Sequence, residues 1–206
     1  MLNLKMPLDF RSDKDSSEML PSLSRRERGE IVLTLFFAQL LSQKTAWLDF
    51  RTHAFELLSK EILWQPRPWI FAWDPDFLTA LRKINVGIFL HQTPLFREGL
   101  GDMRLDHAEA DLLEQFGPGD QPGKRYFLKD LRHGMHKVFM SCKDAKTRLH
   151  ANFFPFGLML AGLYQHLESL GATIDVQACF MRAWDRLTAE ERSLLEGGTW
   201  AKSTTA

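Results

Sequence analysis

The sequence predicts an all-α fold, a compact helical domain of about seven to nine helices joined by proline- and glycine-rich turns. Apolar residues recur at helical spacing in several long segments, whereas no segment alternates for long with the period of two typical of a β-strand. Ser24 with Glu27 and Thr188 with Glu191 form capping boxes that mark helix starts. The chain has 9 prolines and 13 glycines to end helices between these segments.

Three regions follow from the distribution of polar and helix-breaking residues. Residues 1–22 are polar and contain Pro7 and Pro21, which indicates a mobile or weakly docked N-terminal segment. Residues 23–196 carry the helical pattern and are expected to form a single domain, since a chain of 206 residues is long enough for one sizeable core. The tail at 197–206 should fray.

The first predicted helix begins at the Ser24 cap and extends to about Gln43. Its second half, Ile31 to Leu41, is apolar on nearly every face. A helix of this composition is expected at the centre of a fold or beneath another chain. The stretch also has only about half of the roughly 20 residues needed to cross a bilayer, so we expect no membrane insertion.

A second helix is predicted from Thr45 to Leu63, where large apolar residues recur mostly at helical spacing. An aromatic loop from Trp64 to Trp73 should follow it. Pro66 and Pro68 lie in this loop, and two prolines in three residues remove the geometry and the donors that a helix needs.

A third helix should start at Asp74, which supplies a carboxylate cap, with Pro75 at the first helical position. The run Asn85 to Leu90 is ambiguous between helix and strand, and its helical neighbours favour helix. Further helices are predicted over Leu105 to Phe116, Arg125 to Cys142, Phe156 to Leu170 and Asp175 to Leu187, with a last one after Thr188. Gly117 to Gly123 is the clearest loop.

The densest aromatic segment is the corner Phe153-Phe154-Pro155-Phe156. Pro155 has no backbone N–H and disfavours a helical conformation at Phe154, so the chain should break here and restart as a helix at Phe156. A break lined with aromatic side chains is either a corner of the core or a docking surface.

Composition excludes several classes of function. With 26 basic and 26 acidic side chains the formal net charge is zero, so no global field attracts nucleic acid or an anionic membrane. A modest basic stripe includes Lys129, Arg132 and Lys137 and is interleaved with Phe139. Asp130 lies in the same helix, which favours a solvated helix face over a nucleic-acid site. The N-terminus lacks the apolar core of a secretory signal, and two widely spaced cysteines fit a reducing compartment, so we expect a cytoplasmic protein.

No catalytic motif is recognised, and we expect neither an enzyme nor a bound cofactor. The glycine-rich loop lacks the Lys-Ser/Thr of a P-loop and the order of a dinucleotide site. The best alternative is a helical metal-binding protein or metalloenzyme built on His133, His136 and His150, because the first two lie one helical turn apart. Exposed histidines on an amphipathic helix explain the same pattern without an ion.

Two blocks carry a resemblance to a known family. The first is Leu81 to Leu90 with its continuation Leu95 to Leu100, and the second begins at Arg125 to Leu128 and ends at Arg148 to Phe156. In order and spacing these blocks resemble the OrgA/MxiK (SctK) family of type III secretion accessory proteins. The second block ends in an aromatic-proline corner similar to that of the family.

The resemblance implies a non-enzymatic cytoplasmic adaptor of a bacterial injectisome. Such a protein links the cytoplasmic domain of an SctD-type inner-membrane ring protein to an SctQ-type pod protein, and it is peripheral to the membrane through these partners. Large rings are dense beside turn residues at the Phe153 to Phe156 corner and in the Trp64 to Trp73 loop, so we expect one of these segments to form a binding patch. The candidate partner-binding residues are Trp64, Trp69, Trp73, Phe89, Phe96, Arg97, Phe153, Phe154, Pro155 and Phe156. A peptide-binding helper subunit of a larger enzyme is a further alternative.

Overall fold

The computed structural model describes residues 23–58, 61–116 and 123–196. Eight α-helices occupy most of these residues: α1 Arg25–Ser42, α2 Pro75–Phe89, α3 Thr93–Asp102, α4 Glu109–Phe116, α5 Leu128–Asp144, α6 Phe153–Leu170, α7 Val176–Trp184 and α8 Ala189–Glu196. Six short strands accompany them: β1 Thr45–Trp47, β2 Phe55–Leu58, β3 Glu61–Trp64, β4 Ile70–Ala72, β5 Lys124–Arg125 and β6 Thr173–Ile174. Short 3₁₀ turns span Thr52–Ala54 and Asp106–Ala108. The helical prediction is therefore confirmed, but the absence of strands that it implied is wrong.

The strands pair as three separate two-stranded antiparallel sheets, β1 with β4, β2 with β3 and β5 with β6. The β2–β3 hairpin places Phe55 opposite Trp64. The helix predicted over Thr45 to Leu63 is therefore wrong. Asp49 competes with helix formation there, because its side chain accepts hydrogen bonds from the backbone N–H groups of Arg51 and Arg67 and holds the chain in a turn.

Helix α1 lies at the centre, as its composition predicts. Val32, Leu33 and Leu40 are almost completely buried, and Phe37 makes an edge contact with Phe180 of α7, with 5.4 Å between ring centroids. The Ser24 capping box is present at its start. Helices α2, α6 and α7 all pack against α1, which places it in the middle of the core.

Helices α2 and α3 pack tightly against each other, and glycines permit the close approach. A Cβ atom on Gly87 would lie 2.6 Å from the Cα of Phe96, and one on Gly99 would lie 2.8 Å from the carbonyl oxygen of Ala80. Lys83 joins the same two helices, since its Nζ donates to Glu98 at 2.7 Å and to Asp102 at 2.6 Å. Burial alone would lower the pKa of Lys83, but the two carboxylates outweigh it and raise the pKa.

Helix α6 begins at Phe153, three residues before the predicted start at Phe156. The predicted break at Phe154 and Pro155 is wrong in this detail. Pro155 occupies the third helical position, where a backbone N–H has no intrahelical partner, so the proline costs no hydrogen bond there. The predicted end of this helix at Leu170 is confirmed, and Gly171 follows as the C-cap with φ 63°.

Two other helix starts also differ from the sequence prediction. Helix α5 begins at Leu128 instead of Arg125, because Lys124 and Arg125 pair with β6 as an extended strand. Helix α4 begins at Glu109 after a 3₁₀ turn, instead of at Leu105. The helical prediction for Asn85 to Leu90 is confirmed by α2, which ends at Phe89.

The second predicted capping box is present at the start of α8. Thr188 Oγ1 accepts from the Glu191 N–H while the Glu191 carboxylate accepts from the Thr188 N–H, and α8 follows, as predicted. The segments predicted at 1–22 and 197–206, and most of the Gly117 to Gly123 loop, lie outside the described residues. Within the described parts of the chain, no helix is both long and apolar enough to cross a bilayer.

Buried His166 on α6 makes stability dependent on pH. Its Nδ1 lies 3.2 Å from the carbonyl oxygen of Phe50, and its ring contacts Phe55 with 4.8 Å between centroids. Burial lowers the pKa of His166 from 6.5 to about 4, although the Phe50 hydrogen bond opposes this change. At pH 7 the side chain is neutral in both states. Below pH 6.5 the unfolded chain takes up a proton that the folded chain does not, so stability falls as pH falls towards 4.

We therefore expect the free energy of unfolding to drop by about 2 kcal/mol from this residue between pH 7 and pH 5. Urea titrations at both pH values measure the drop. The variant His166→Gln should lose this part of the pH dependence, whereas His133→Gln, at an exposed position, should retain it. An unchanged pH dependence in His166→Gln would contradict the assignment.

Candidate functional site

The ten side chains predicted to bind partners occupy three different environments. Trp73, Phe89, Phe96, Pro155 and Phe156 are buried, and Trp64 and Phe153 are half-buried. Trp69, Arg97 and Phe154 are exposed. The buried rings belong to the core, so a partner cannot reach them in this fold; the exposed residues remain available for binding.

The Trp64 to Trp73 loop turns most of its aromatic surface inwards. Trp64 Nε1 donates to the carbonyl oxygen of Asp49 at 3.0 Å, and the Trp64 ring stacks on Phe55. Trp73 stacks on Phe77, with 5.9 Å between centroids. These contacts explain why two of the three tryptophans support the fold instead of presenting a surface.

Trp69 is the exposed tryptophan of this loop, with 47% of its surface accessible. The guanidinium carbon of Arg51 lies 4.2 Å from the Trp69 ring centroid, and that of Arg67 lies 5.8 Å from it. Arg51 is held in turn by Asp49, through Nε at 2.7 Å and Nη2 at 3.0 Å. The loop therefore presents a ring flanked by two cations, and one buried carboxylate holds the guanidinium of Arg51 and the backbone N–H of Arg67.

The charge state of Asp49 follows from these contacts. Its burial favours the neutral acid, but the hydrogen bonds from Arg51 and from the Arg67 N–H outweigh that effect and lower its pKa. The carboxylate is consequently ionised at neutral pH. It holds the Arg51 guanidinium and the Arg67 backbone N–H as long as it keeps its charge.

The Phe153 to Phe156 corner combines the two interpretations that the sequence left open. Phe153 makes an edge contact with Phe77, with 5.2 Å between centroids, and Phe156 makes another with Trp73. Phe154 points away from this cluster and is 74% exposed. The corner is therefore mostly core, with one ring left on the surface.

Phe154 does not stand alone on the outer surface. Leu158, one turn further along α6, is 50% exposed, and Phe139 of α5 is 54% exposed. The two helices run antiparallel: Tyr126 packs against Tyr164, and the Met135 Cε lies 3.9 Å from the position of a Cβ atom on Gly157. Phe139, one turn beyond Met135, is therefore level with the start of α6. We call Phe139, Phe154 and Leu158 the α5–α6 surface.

A basic stripe borders the α5–α6 surface. Arg132, His136, Phe139 and Lys143 are spaced three or four residues apart on α5, so they share one helix face, and all four are exposed. Lys137 of the predicted stripe lies on another face and binds Glu114 of α4 at 2.7 Å. The solvent face of α5 thus presents the Phe139 ring together with the side chains of Arg132, His136 and Lys143.

The sequence interpretation missed Leu158 and noted Phe139 only as part of a basic stripe. The spacing of four residues between Phe154 and Leu158 was the available signal, since it places both on one face of a helix. Their pairing with Phe139 depends on the antiparallel contact of α5 with α6, which no local pattern reports.

The three histidines of the metal-binding alternative do not come together. His133 and His136 are exposed on α5. His150 stacks on Phe77 at 5.2 Å, and its Nε2 lies 3.8 Å from a carboxylate oxygen of Asp74. Over the ranges that the structure describes, no group of three or more His, Cys, Asp or Glu side chains has a geometry that could hold a metal ion.

Searches of protein-family models, of curated proteins and of solved structures found no match to this chain. The OrgA/MxiK resemblance therefore stays a prediction.

Proposed function

We propose that this protein is a non-enzymatic adaptor that binds another protein through the α5–α6 surface. One observation carries the proposal: Phe139, Phe154 and Leu158 expose half or more of their surface at the same level of the paired helices α5 and α6, whereas most of the other large rings in the described residues are buried. Exposed aromatic residues on adjoining helices are the usual anchors of protein interfaces, where a few such groups supply most of the affinity.

The charge around the surface supports a partner of acidic character. Arg132 and Lys143 lie on the same face of α5 as Phe139, and His136 lies between them. Cationic groups at the rim of an apolar patch raise the association rate with an acidic surface and fix its orientation. A partner that presents apolar side chains within an acidic surface would fit both features.

We further propose that this adaptor belongs to the sorting platform of a bacterial injectisome. The resemblance of Leu81 to Leu90 and of Arg148 to Phe156 to the OrgA/MxiK (SctK) family supports it. On this proposal the partners are the cytoplasmic domain of an SctD-type ring protein and an SctQ-type pod protein. Trp69, with its flanking arginines, is the available candidate for a second contact.

A double substitution, Phe154→Ser with Leu158→Ser, tests the proposal. Both side chains are exposed, so we expect the fold to survive and partner binding to weaken by about 100-fold, the effect of losing two interface anchors. Binding is measured by calorimetry with purified SctD-type and SctQ-type domains, and folding by circular dichroism and thermal unfolding.

Leu194→Ser provides the matched control, because Leu194 of α8 is 50% exposed, like Leu158, but lies on a different helix. It should leave binding unchanged. Equal affinity of the double variant and the control for a partner that binds the natural chain would refute the role of the α5–α6 surface. Failure of both domains to bind the natural chain would refute the injectisome assignment. The adaptor function is then decided by a search for partners that bind the natural chain and the Leu194→Ser control but not the double variant.

A further inference from the structure

A cleft of about 360 Å³ opens between α1, the β2–β3 hairpin and the α7–α8 connection. Its volume falls within the range of small-molecule binding sites. The walls are mainly apolar and aromatic, with contributions from Leu35, Ala38, Trp47, Phe55, Ile62 and Trp64. The cleft shares no residue with the α5–α6 surface, so its role is independent of the proposed adaptor function.

Gln39 makes this cleft more than an apolar groove. The side chain lines the cleft and is only 6% exposed. Its Oε1 accepts from the Trp47 backbone N–H at 2.9 Å, which fixes the orientation of the amide. Its Nε2 is buried and has no hydrogen-bond partner in the described portion of the chain. A buried donor without a partner is costly, and an acceptor oxygen on a ligand would remove that cost.

The charge at the mouth favours an anion. Arg186 lines the cleft, is exposed, and makes no hydrogen bond or ion pair with the residues that the structure describes. Arg82 lies next to the same end, where it donates to the carbonyl oxygens of Leu40 and Gln43 at 2.8 and 3.0 Å. Burial lowers the pKa of Arg82 to about 10, so it stays charged at neutral pH.

The lining also contains one acidic group, Glu191, whose carboxylate is engaged by the Thr188 N–H at 2.8 Å as part of the α8 capping box. Arg82 lies outside the lining and is occupied by the two backbone carbonyl oxygens, so Arg186 is the charged lining side chain without a partner among the described residues. The cleft therefore combines an apolar body, a buried donor and one arginine at its mouth.

We propose that this cleft binds a small apolar carboxylate, with its aromatic or branched aliphatic body between Trp47, Trp64 and Leu35. The Gln39 Nε2 donates to an oxygen of the ligand, and Arg186 supplies the opposing charge. The ligand class is thus defined by an apolar body with one acidic group. An uncharged compound of the same shape would make the apolar contacts with the walls but would not supply a charge that complements Arg186.

Nuclear magnetic resonance of the tryptophan indole N–H groups tests this proposal on the full chain. The probes are 3-phenylpropionate, indole-3-acetate and 4-methylpentanoate, each compared with the corresponding alcohol. The Trp47 and Trp64 signals are assigned with Trp→Phe variants. We expect saturable shifts of these two signals with a dissociation constant on the order of 1 mM or lower, and binding of the alcohols at least tenfold weaker.

Two variants examine the polar groups. Gln39→Glu retains an oxygen that can accept from the Trp47 N–H but replaces the Nε2 donor with an acceptor, so acid binding should weaken by at least tenfold. Arg186→Gln changes only an exposed side chain and should weaken it by about threefold to tenfold, as expected for an exposed charge. Arg148→Gln, at an exposed position that does not line the cleft, is the matched control and should bind like the natural chain.

Several results would overturn the proposal. The absence of saturable shifts with all three acids would exclude the site, and equal affinity for acids and alcohols would exclude recognition of the charge. If Gln39→Glu folds and binds the acids unchanged, Gln39 is not the donor. Should that variant fail to fold, Arg186→Gln and the comparison of acids with alcohols decide the outcome.

Discussion

Replacing Gly87 with alanine should lower the free energy of unfolding by about 3 kcal/mol, the upper part of the usual range for overpacking. The added methyl group would lie 2.6 Å from the Cα and 2.7 Å from the Cβ of Phe96. Because backbone atoms of α3 block it, no rotation of a side chain relieves the contact. Helix α3 would have to move away from α2, and the Lys83 hydrogen bonds to Glu98 and Asp102 would lengthen.

The matched control for this substitution is Gly101→Ala in α3. A Cβ atom there meets only a carboxylate oxygen of Asp106, at 3.4 Å. This variant should be neutral or should stabilise the protein by about 0.5–1 kcal/mol, because alanine favours the helix over glycine. Urea titration of both variants gives the comparison. Equal stability of the two variants would show that the close approach of α2 and α3 is not a constraint.

Replacing Asp49 with alanine should also cost about 3 kcal/mol, at the lower end of the range for breaking a buried ion pair. The Asp49 side chain is fully buried, whereas its partner Arg51 keeps 27% of its side-chain surface in contact with water, which limits the penalty on the arginine side. The loss leaves the Arg67 backbone N–H without its acceptor and releases Arg51 from its position against Trp69.

Two measurements distinguish this effect from a general loss of stability. Urea titration gives the change in free energy of unfolding, and tryptophan fluorescence reports the altered surroundings of Trp69. Asp144→Asn, at an exposed position on α5, should change stability by less than about 0.5 kcal/mol. Because its native contacts lower the Asp49 pKa, the stabilisation is present above the ordinary aspartate pKa and is lost as the pH falls through the lowered one. The natural chain should lose this contribution in acid, and Asp49→Ala should not.

Local signals predicted much of the fold. The Ser24 and Thr188 capping boxes and the Asp74-Pro75 start each depend on residues within one turn of one another, and all three mark helices in the structure. The uniformly apolar stretch Ile31 to Leu41 likewise identified the central helix. These features are readable because the interactions that define them are close in sequence.

The sequence did not predict the strands, because tertiary contacts decide whether these residues are extended. Lys124 and Arg125 are extended because they pair with Ile174 and Thr173, about fifty residues later. In the Thr45 to Leu63 segment, apolar spacing was compatible with a helix, but Asp49 and its contact with Arg67 enforce a turn. Tertiary contacts override local propensity in both cases.

The candidate sites likewise combine features that the local sequence indicates with features that only the packing shows. The ring density at Phe153 to Phe156 located an important corner, but only the packing shows that Phe154 alone faces solvent. The sequence did not indicate an unpaired hydrogen-bond donor at Gln39, because there this residue is only a polar position in an apolar helix. The structure shows that the backbone N–H of Trp47 in β1 donates to the Gln39 Oε1, which leaves the Nε2 as a donor without a partner in the described residues.

Asp74, which caps α2, donates its backbone N–H to the side chain of Asn152 at 2.8 Å. Asn152 immediately precedes α6, so this contact ties the start of α2 to a residue 78 positions later in the chain. A truncation that stops before residue 152 removes this acceptor together with helices α6 and α7, which pack against α1. Partner mapping by deletion would consequently report misfolding, and single substitutions in the whole chain are the appropriate tool.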